Sequence, residues 1–226
     1  MSPPYDRVQL TDLVIAANGG LKQWSEIESI EAHFNLLGAA FTGKGISENR
    51  FPTTIASTKK QTQTQADEEW IYTPDQVWKQ KPNGEVIEFR DQPRKASEGH
   101  TRETPWDDLH LLYFVGYAMW RYVNFPFLLV QDGVETDELE PHTNPEDQTW
   151  RVLEATFHES SSLAVHCQAQ KYYFDDKLVL QRHDYAPDVV GGVDATHYAF
   201  DNVSLAAIQF ATLRRVVICF TGVSPN

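Results

Sequence analysis

The chain reads as an α+β protein: a strongly curved antiparallel sheet, an open or half β-barrel, wrapping an apolar helix, with a second helix at the N-terminus. Three observations predict this. The stretch WDDLHLLYFVGYAMWRYVNFPF, from Trp106 to Phe127, has apolar residues at helical spacing on nearly every side, whereas a helix on a protein surface shows one apolar stripe. Short strand-like runs joined by tight turns precede it, and a longer series of strand-like runs follows it. A curved sheet around the helix would cover its whole circumference.

The elements follow in order. Leu10, Leu13, Val14 and Ala17 share a helical face, and Asn18-Gly19-Gly20 stops that helix. Trp24 begins the next unit. From Ser29 to Leu36 the alternation of Ile30, Ala32, Phe34 and Leu36 with polar residues predicts a half-buried strand. Residues 38–66 carry little pattern and are read as strand and loop, with their threonines in an edge strand. Residues 69–72, 76–80 and 86–89 predict a three-stranded meander, whose Asn83-Gly84 pair favours a type I′ hairpin. Thr104 or Asp107 caps the central helix and Pro126 ends it. The acidic, turn-rich segment LLVQDGVETDELEPHTNPED reads as a loop. Strands are then predicted over 150–157, 166–174, 178–185, 195–200 and 213–220.

Length and composition bound the rest. The 226 residues suit a single domain, 1–226, with 41% hydrophobic and 12% aromatic residues to build its core. A net charge of −13 argues against a nucleic-acid or anionic-membrane surface. The apolar run of the central helix, broken by His110 and Arg121, is shorter than the roughly 20 residues of a membrane span. Cys167 and Cys219 match no metal or redox spacing and read as buried thiols in a reducing compartment. The N-terminus shows no secretion signal, so a cytoplasmic location is expected. No phosphate loop, nucleophile elbow or metal-binding pair is present, Ser160-Ser161-Ser162 reads as a turn, and no cofactor or metal is implied.

What remains is a polar set on the C-terminal strands. In HCQAQKYYF, His166, Gln168, Gln170, Tyr172 and Phe174 alternate onto one face. In the following strand Arg182 and Asp184 share a face, with Gln181, His183 and Tyr185 opposite, and His197 lies between Thr196 and Tyr198 in the next. If His166, Gln168, Arg182 and Asp184 face the concave side, they line a pocket; if they face outward, they are a solvated surface, and Arg182 with Asp184 is a plain ion pair. Tyr113, Tyr117, Trp120 and Tyr122 on the helix serve equally as core or as pocket wall.

The blocks QPRKASEGH, PWDDLHLLYFVGYAMW, WRVLEATF, HCQAQKYYFDD and RHDYAPDVVGG, in that order, resemble an uncharacterised family of bacterial proteins of about this length. More distantly, the layout of N-terminal helix, strands, inserted helix and further strands is similar to the periplasmic lipoprotein-carrier (LolA-like) fold. That resemblance implies an unclosed barrel that cups a lipid. The expected function is binding of a hydrophobic small molecule, lipid or polyketide-like, between sheet and helix. Tyr113, Tyr117 and Trp120 would form its walls, His166, Gln168 and Arg182 would orient its polar end, and Trp106, His110, Tyr172 and Tyr198 would complete the site. The alternative is a cofactor-independent cyclase, isomerase or dehydratase of secondary metabolism, with His166, Asp184 or His197 as general acid or base. A third reading is a structural module whose helix is simply core.

Overall fold

A computed structural model of the chain describes residues 9–47, 53–60, 62–65, 69–101, 103–161 and 163–218. Among the described residues, four helices, α1 (Leu10–Ala17), α2 (Gly20–Ser25), α3 (Ala39–Thr42) and α4 (Asp108–Asn124), accompany twelve strands. Six strands precede α4: β1 (Ser29–His33), β2 (Thr53–Ser57), β3 (Gln63–Gln65), β4 (Trp70–Tyr72), β5 (Gln76–Gln80) and β6 (Val86–Asp91). Six follow it: β7 (Val134–Thr143), β8 (Thr149–Phe157), β9 (Ala169–Phe174), β10 (Leu180–Tyr185), β11 (Ala195–Leu205) and β12 (Ile208–Ile218). Each set forms its own six-stranded antiparallel meander, with neighbours in space following neighbours in sequence.

The protein is thus mainly antiparallel sheet with a few helices, and its strands divide into two hydrogen-bonded sheets where the sequence suggested one. Other expectations need correction. The acidic segment read as a loop contains β7, an edge strand of the second sheet; at an edge, outward charges are compatible with pairing on one side. Strand β3 lies between β2 and β4, not at an edge. After the stop at Asn18-Gly19, where Gly19 takes φ 86°, the chain resumes helix as α2. The β5–β6 hairpin is closed by the Gly84 amide on the Lys81 carbonyl at 2.8 Å, with φ 84° at Gly84 and no positive φ at Asn83. It is therefore not a type I′ turn, which needs positive φ at both central residues. Pro82 at the first central position already imposes a negative φ.

Helix α4 connects the two sheets in sequence and touches both. Its N-cap is Asp107, whose carboxylate accepts from the His110 amide at 2.8 Å while the His110 ring reaches back to the Asp107 amide, a reciprocal cap. Arg90 on β6 and Lys79 on β5 hold Asp107 and Asp108, pinning this end to the first sheet. One stripe of α4 then faces that sheet. Gly116 lies so close to Tyr72 of β4 that a Cβ there would collide with the ring, and the Trp120 indole donates to the Ser57 and Lys60 carbonyls at 2.8 Å. A neighbouring stripe, Tyr113, Tyr117 and Arg121, faces residues at and before β9. Contacts from both sheets explain why apolar residues surround the helix.

Candidate functional site

At the C-terminal end of α4 lies a cavity of about 320 Å³, within the range of small-molecule pockets. Its walls are Trp24 from α2, Trp120 from α4, Phe127 and Leu128 from the 3-10 turn after α4, and Leu163. Trp24 and Phe127 stack with centroids 4.2 Å apart and planes 8° from parallel, a contact worth roughly 1 kcal/mol beyond its burial. Polar residues sit among them: Asn124, Gln131, Thr58, Thr62, Lys59 and Lys60. Asn124 is held by donating to the Trp120 carbonyl at 2.8 Å, and Lys59 by donating to the Ser25 carbonyl at 2.6 Å. Among the described residues, the lining contains neither carboxylate nor histidine.

A second cluster surrounds His166, which is buried just before β9. Its Nδ1 lies 2.8 Å from an Asp188 carboxylate oxygen and its Nε2 2.8 Å from the Tyr113 hydroxyl. A carboxylate accepts, so Nδ1 carries the proton and Nε2 accepts from Tyr113. Arg94 holds the other Asp188 oxygen, and the Tyr117 ring meets the imidazole edge-on at 4.4 Å. Burial lowers the His166 pKa although Asp188 pulls the other way, and burial raises that of Tyr113. The imidazole is enclosed and both of its nitrogens are hydrogen-bonded, while Asp188 and Arg94 are about half exposed. The 320 Å³ cavity does not border it.

A third set lies between α4 and the inner face of the second sheet. Gln170 donates through Nε2 to the Cys167 carbonyl at 2.6 Å, which fixes its Oε1 inward. Three donors converge on that oxygen: Arg121 at 2.9 Å, the Tyr172 hydroxyl at 3.0 Å and His183 Nε2 at 2.8 Å. Register aligns the layer, since His183 pairs with Tyr172 on one side and with His197 on the other. His183 stacks between Tyr172 and Tyr185, each at 4.4 Å, and His197 meets the Tyr122 ring edge-on at 4.9 Å. Arg214 of β12 lies over the same Tyr122 ring, with its guanidinium 4.4 Å from the centroid. Burial pushes the His197 pKa down to about 3 and holds His183 well below the ordinary range, so both are neutral; it pushes Tyr172 up to about 12.

The residues singled out from the sequence are therefore divided among several places. Tyr113, Tyr117 and His166 meet in the second cluster; Tyr172 and His197 lie in the inner layer; Trp120 alone of them lines the cavity. Arg182 and Asp184 point away from α4. Their ion pair, at 2.8 Å, receives the Tyr173 hydroxyl at 2.9 Å and lies beside Tyr198 on the outer face. The β10 residues that face α4 are the opposite parity, His183 and Tyr185. His166 precedes β9, so strand alternation does not extend back to it, and Gln168 is exposed. Trp106 packs against Phe114 beneath the Lys44 amine, and His110 is occupied in the helix cap. Cys167 is a half-buried free thiol, while Cys219 and Ser162 lie outside the described residues. Among the described residues, no group of three His, Cys, Asp or Glu gathers around a possible metal position. No helix among them is long and apolar enough to cross a membrane.

Sequence reasoning missed Trp24, Phe127, Thr58, Lys59, Lys60 and Thr62 of the cavity, and His183, Tyr185 and Arg214 of the inner layer; it set Gln170 beside Tyr172 on one face without giving it a role. Arg121 left a readable signal: a cation inside an apolar helix must find partners once the helix is covered. No protein-family model and no curated protein matches the chain. Among solved structures it is similar to a DUF1329 family protein from Desulfovibrio piger, with a TM-score of 0.43 and 13% identity, over 92% of this chain and 85% of that one. This is a distant likeness.

Proposed function

We propose that the protein binds a hydrophobic small molecule, lipid or polyketide-like, at the C-terminal end of α4. The observation that carries this reading is the 320 Å³ cavity walled by Trp24, Trp120, Phe127, Leu128 and Leu163, with a few polar residues, Asn124 and Thr58 among them, beside the apolar walls. In this reading the two sheets curve around α4 as an open barrel, as in the LolA-like arrangement, and the site opens between α4 and the β2–β3 turn. The enzymatic alternative would need a group that exchanges protons near neutral pH. Among the described residues the cavity lining offers no carboxylate or histidine, and His166 is enclosed elsewhere, so binding is the reading supported.

The test is titration with phenylnaphthylamine, a neutral fluorophore that brightens in apolar surroundings, followed through quenching of the cavity tryptophans. Saturable binding to the parent protein and at least tenfold weaker binding to a folded Leu163→Trp variant, whose indole fills the cavity, is the expected result. Equal binding to both proteins would refute the site.

A further inference from the structure

The cavity at the end of α4 is mainly apolar within and charged on its solvent side. Trp24, Trp120, Phe127 and Leu128 are buried, whereas Lys59 and Lys60 are exposed, so the two lysines mark its mouth. Both belong to the β2–β3 turn. The backbone of that turn is fixed against the cavity wall by the Trp120 indole, which donates to the Ser57 and Lys60 carbonyls, and by the Thr58 amide on the Glu28 carbonyl at 2.9 Å. The Lys59 amine is itself tethered, donating at 2.6 Å to the carbonyl of Ser25, the residue after Trp24. One such bond leaves an ammonium two further donors. The sequence has 32 acidic against 19 basic residues. Among the described residues the lining inverts that balance, with two lysines and no carboxylate.

Cations at the mouth of an apolar cavity select the charge of what enters it. An apolar chain gains by leaving water for the buried aromatic and leucine walls, and an anionic head at the rim keeps part of its hydration while it meets two ammonium groups. A cationic head would be repelled at this rim, although the net charge of −13 draws cations to the protein as a whole. The volume of about 320 Å³ is at the lower end of small-molecule pockets and suits one chain rather than two. We infer that the ligand is a single-chain amphiphile with an anionic head, carboxylate or phosphate, whose chain fills the cavity and whose head meets Lys59 and Lys60. This rests on the cavity being the binding site proposed above and adds the charge and shape of what it takes.

The experiment displaces bound phenylnaphthylamine with decanoate, decyl phosphate and decylammonium, three heads on one chain length, each below its micelle concentration. It is run on the full chain and on the double variant Lys59→Glu, Lys60→Glu. For the parent, the better of the two anions is expected to bind about tenfold more tightly than decylammonium, and which anion it is separates a carboxylate from a phosphate ligand. In the double variant the order of anion and cation should reverse. Because the heads are compared within each protein, a general change of affinity in the variant does not enter. A second reading needs the parent alone: the preference for the anion should shrink severalfold as sodium chloride rises from about 0.05 to about 0.5 M, since charges at an exposed rim are screened. Dye that binds but is displaced by decylammonium as readily as by either anion would overturn the anionic head and leave the hydrophobic cavity standing. A preference that persists in the double variant, or that salt does not reduce, would overturn the role of the two lysines. A parent that binds no dye would overturn the cavity reading and this inference together.

Discussion

The two faces of the second sheet carry nearly the same motif with one change. On the outer face Arg182 forks onto Asp184, and the Tyr173 hydroxyl donates to the same carboxylate. On the inner face Arg121 meets Gln170, and the Tyr172 hydroxyl donates to the same amide oxygen. Adjacent tyrosines of β9 thus anchor two arginine clusters on opposite sides of one strand. The outer cluster is neutral as a unit and solvated at its edges; the inner one retains a full positive charge. The geometry of hydrogen bonds alone would not separate them. The difference lies in whether the acceptor is a carboxylate or an amide.

Breaking the contact between α4 and the first sheet should disturb this comparison most. Gly116→Ala drives a methyl into Tyr72, and a shift of α4 that relieves the clash also pulls Arg121 from Gln170. A loss of about 3 kcal/mol in denaturant unfolding is expected. Next in size, Arg182→Met leaves Asp184 half-buried without its fork partner and should cost about 2 kcal/mol. Arg121→Met removes a buried charge while Gln170 keeps two donors, so its expected change is neutral or stabilising. Opposite responses of the two arginines to the same substitution are the signature of the comparison, and equal losses would erase it. Gln170→Glu, which makes the inner cluster chemically like the outer one, should stabilise by about 1 kcal/mol.

Protonation gives a smaller, graded test. His166, His183 and His197 all have pKa values held below the ordinary 6.5 by burial. The unfolded chain therefore takes up protons that the folded chain refuses. Stability from these groups is fully present above pH 6.5 and is lost as the pH falls below it, towards the folded values. Replacing His197 with Gln should flatten the fall of Tm between pH 6.5 and the acid limit relative to the parent. An unchanged slope would mean that His197 does not contribute to it.

Much of this was legible from the chain alone, for local reasons. The capped helix with apolar residues all round, the 69–91 meander and the five strands after Trp150 each carry their pattern within a few residues. The division into two sheets does not, because it depends on which edges pair across the α4 crossing. Strand β7 hid behind its acidic side chains. The parity of β10 was undetermined because both of its faces are polar: Arg182 and Asp184 on one, Gln181 and His183 on the other. Nothing in a glutamine's sequence context marks it as the acceptor of a buried arginine, so Gln170 became visible only through register and distance. The cavity draws its walls from residues 24, 120, 127 and 163, a gathering no local pattern encodes.

The most direct test of the proposed function is native mass spectrometry of protein purified without detergent, with phenylnaphthylamine then added to the same sample. The account predicts a peak above the bare chain by the mass of one small molecule, either one carried through purification and extractable into organic solvent or the added dye, and only the bare chain for Leu163→Trp. The bare chain alone for the parent, before and after the dye is added, would contradict it.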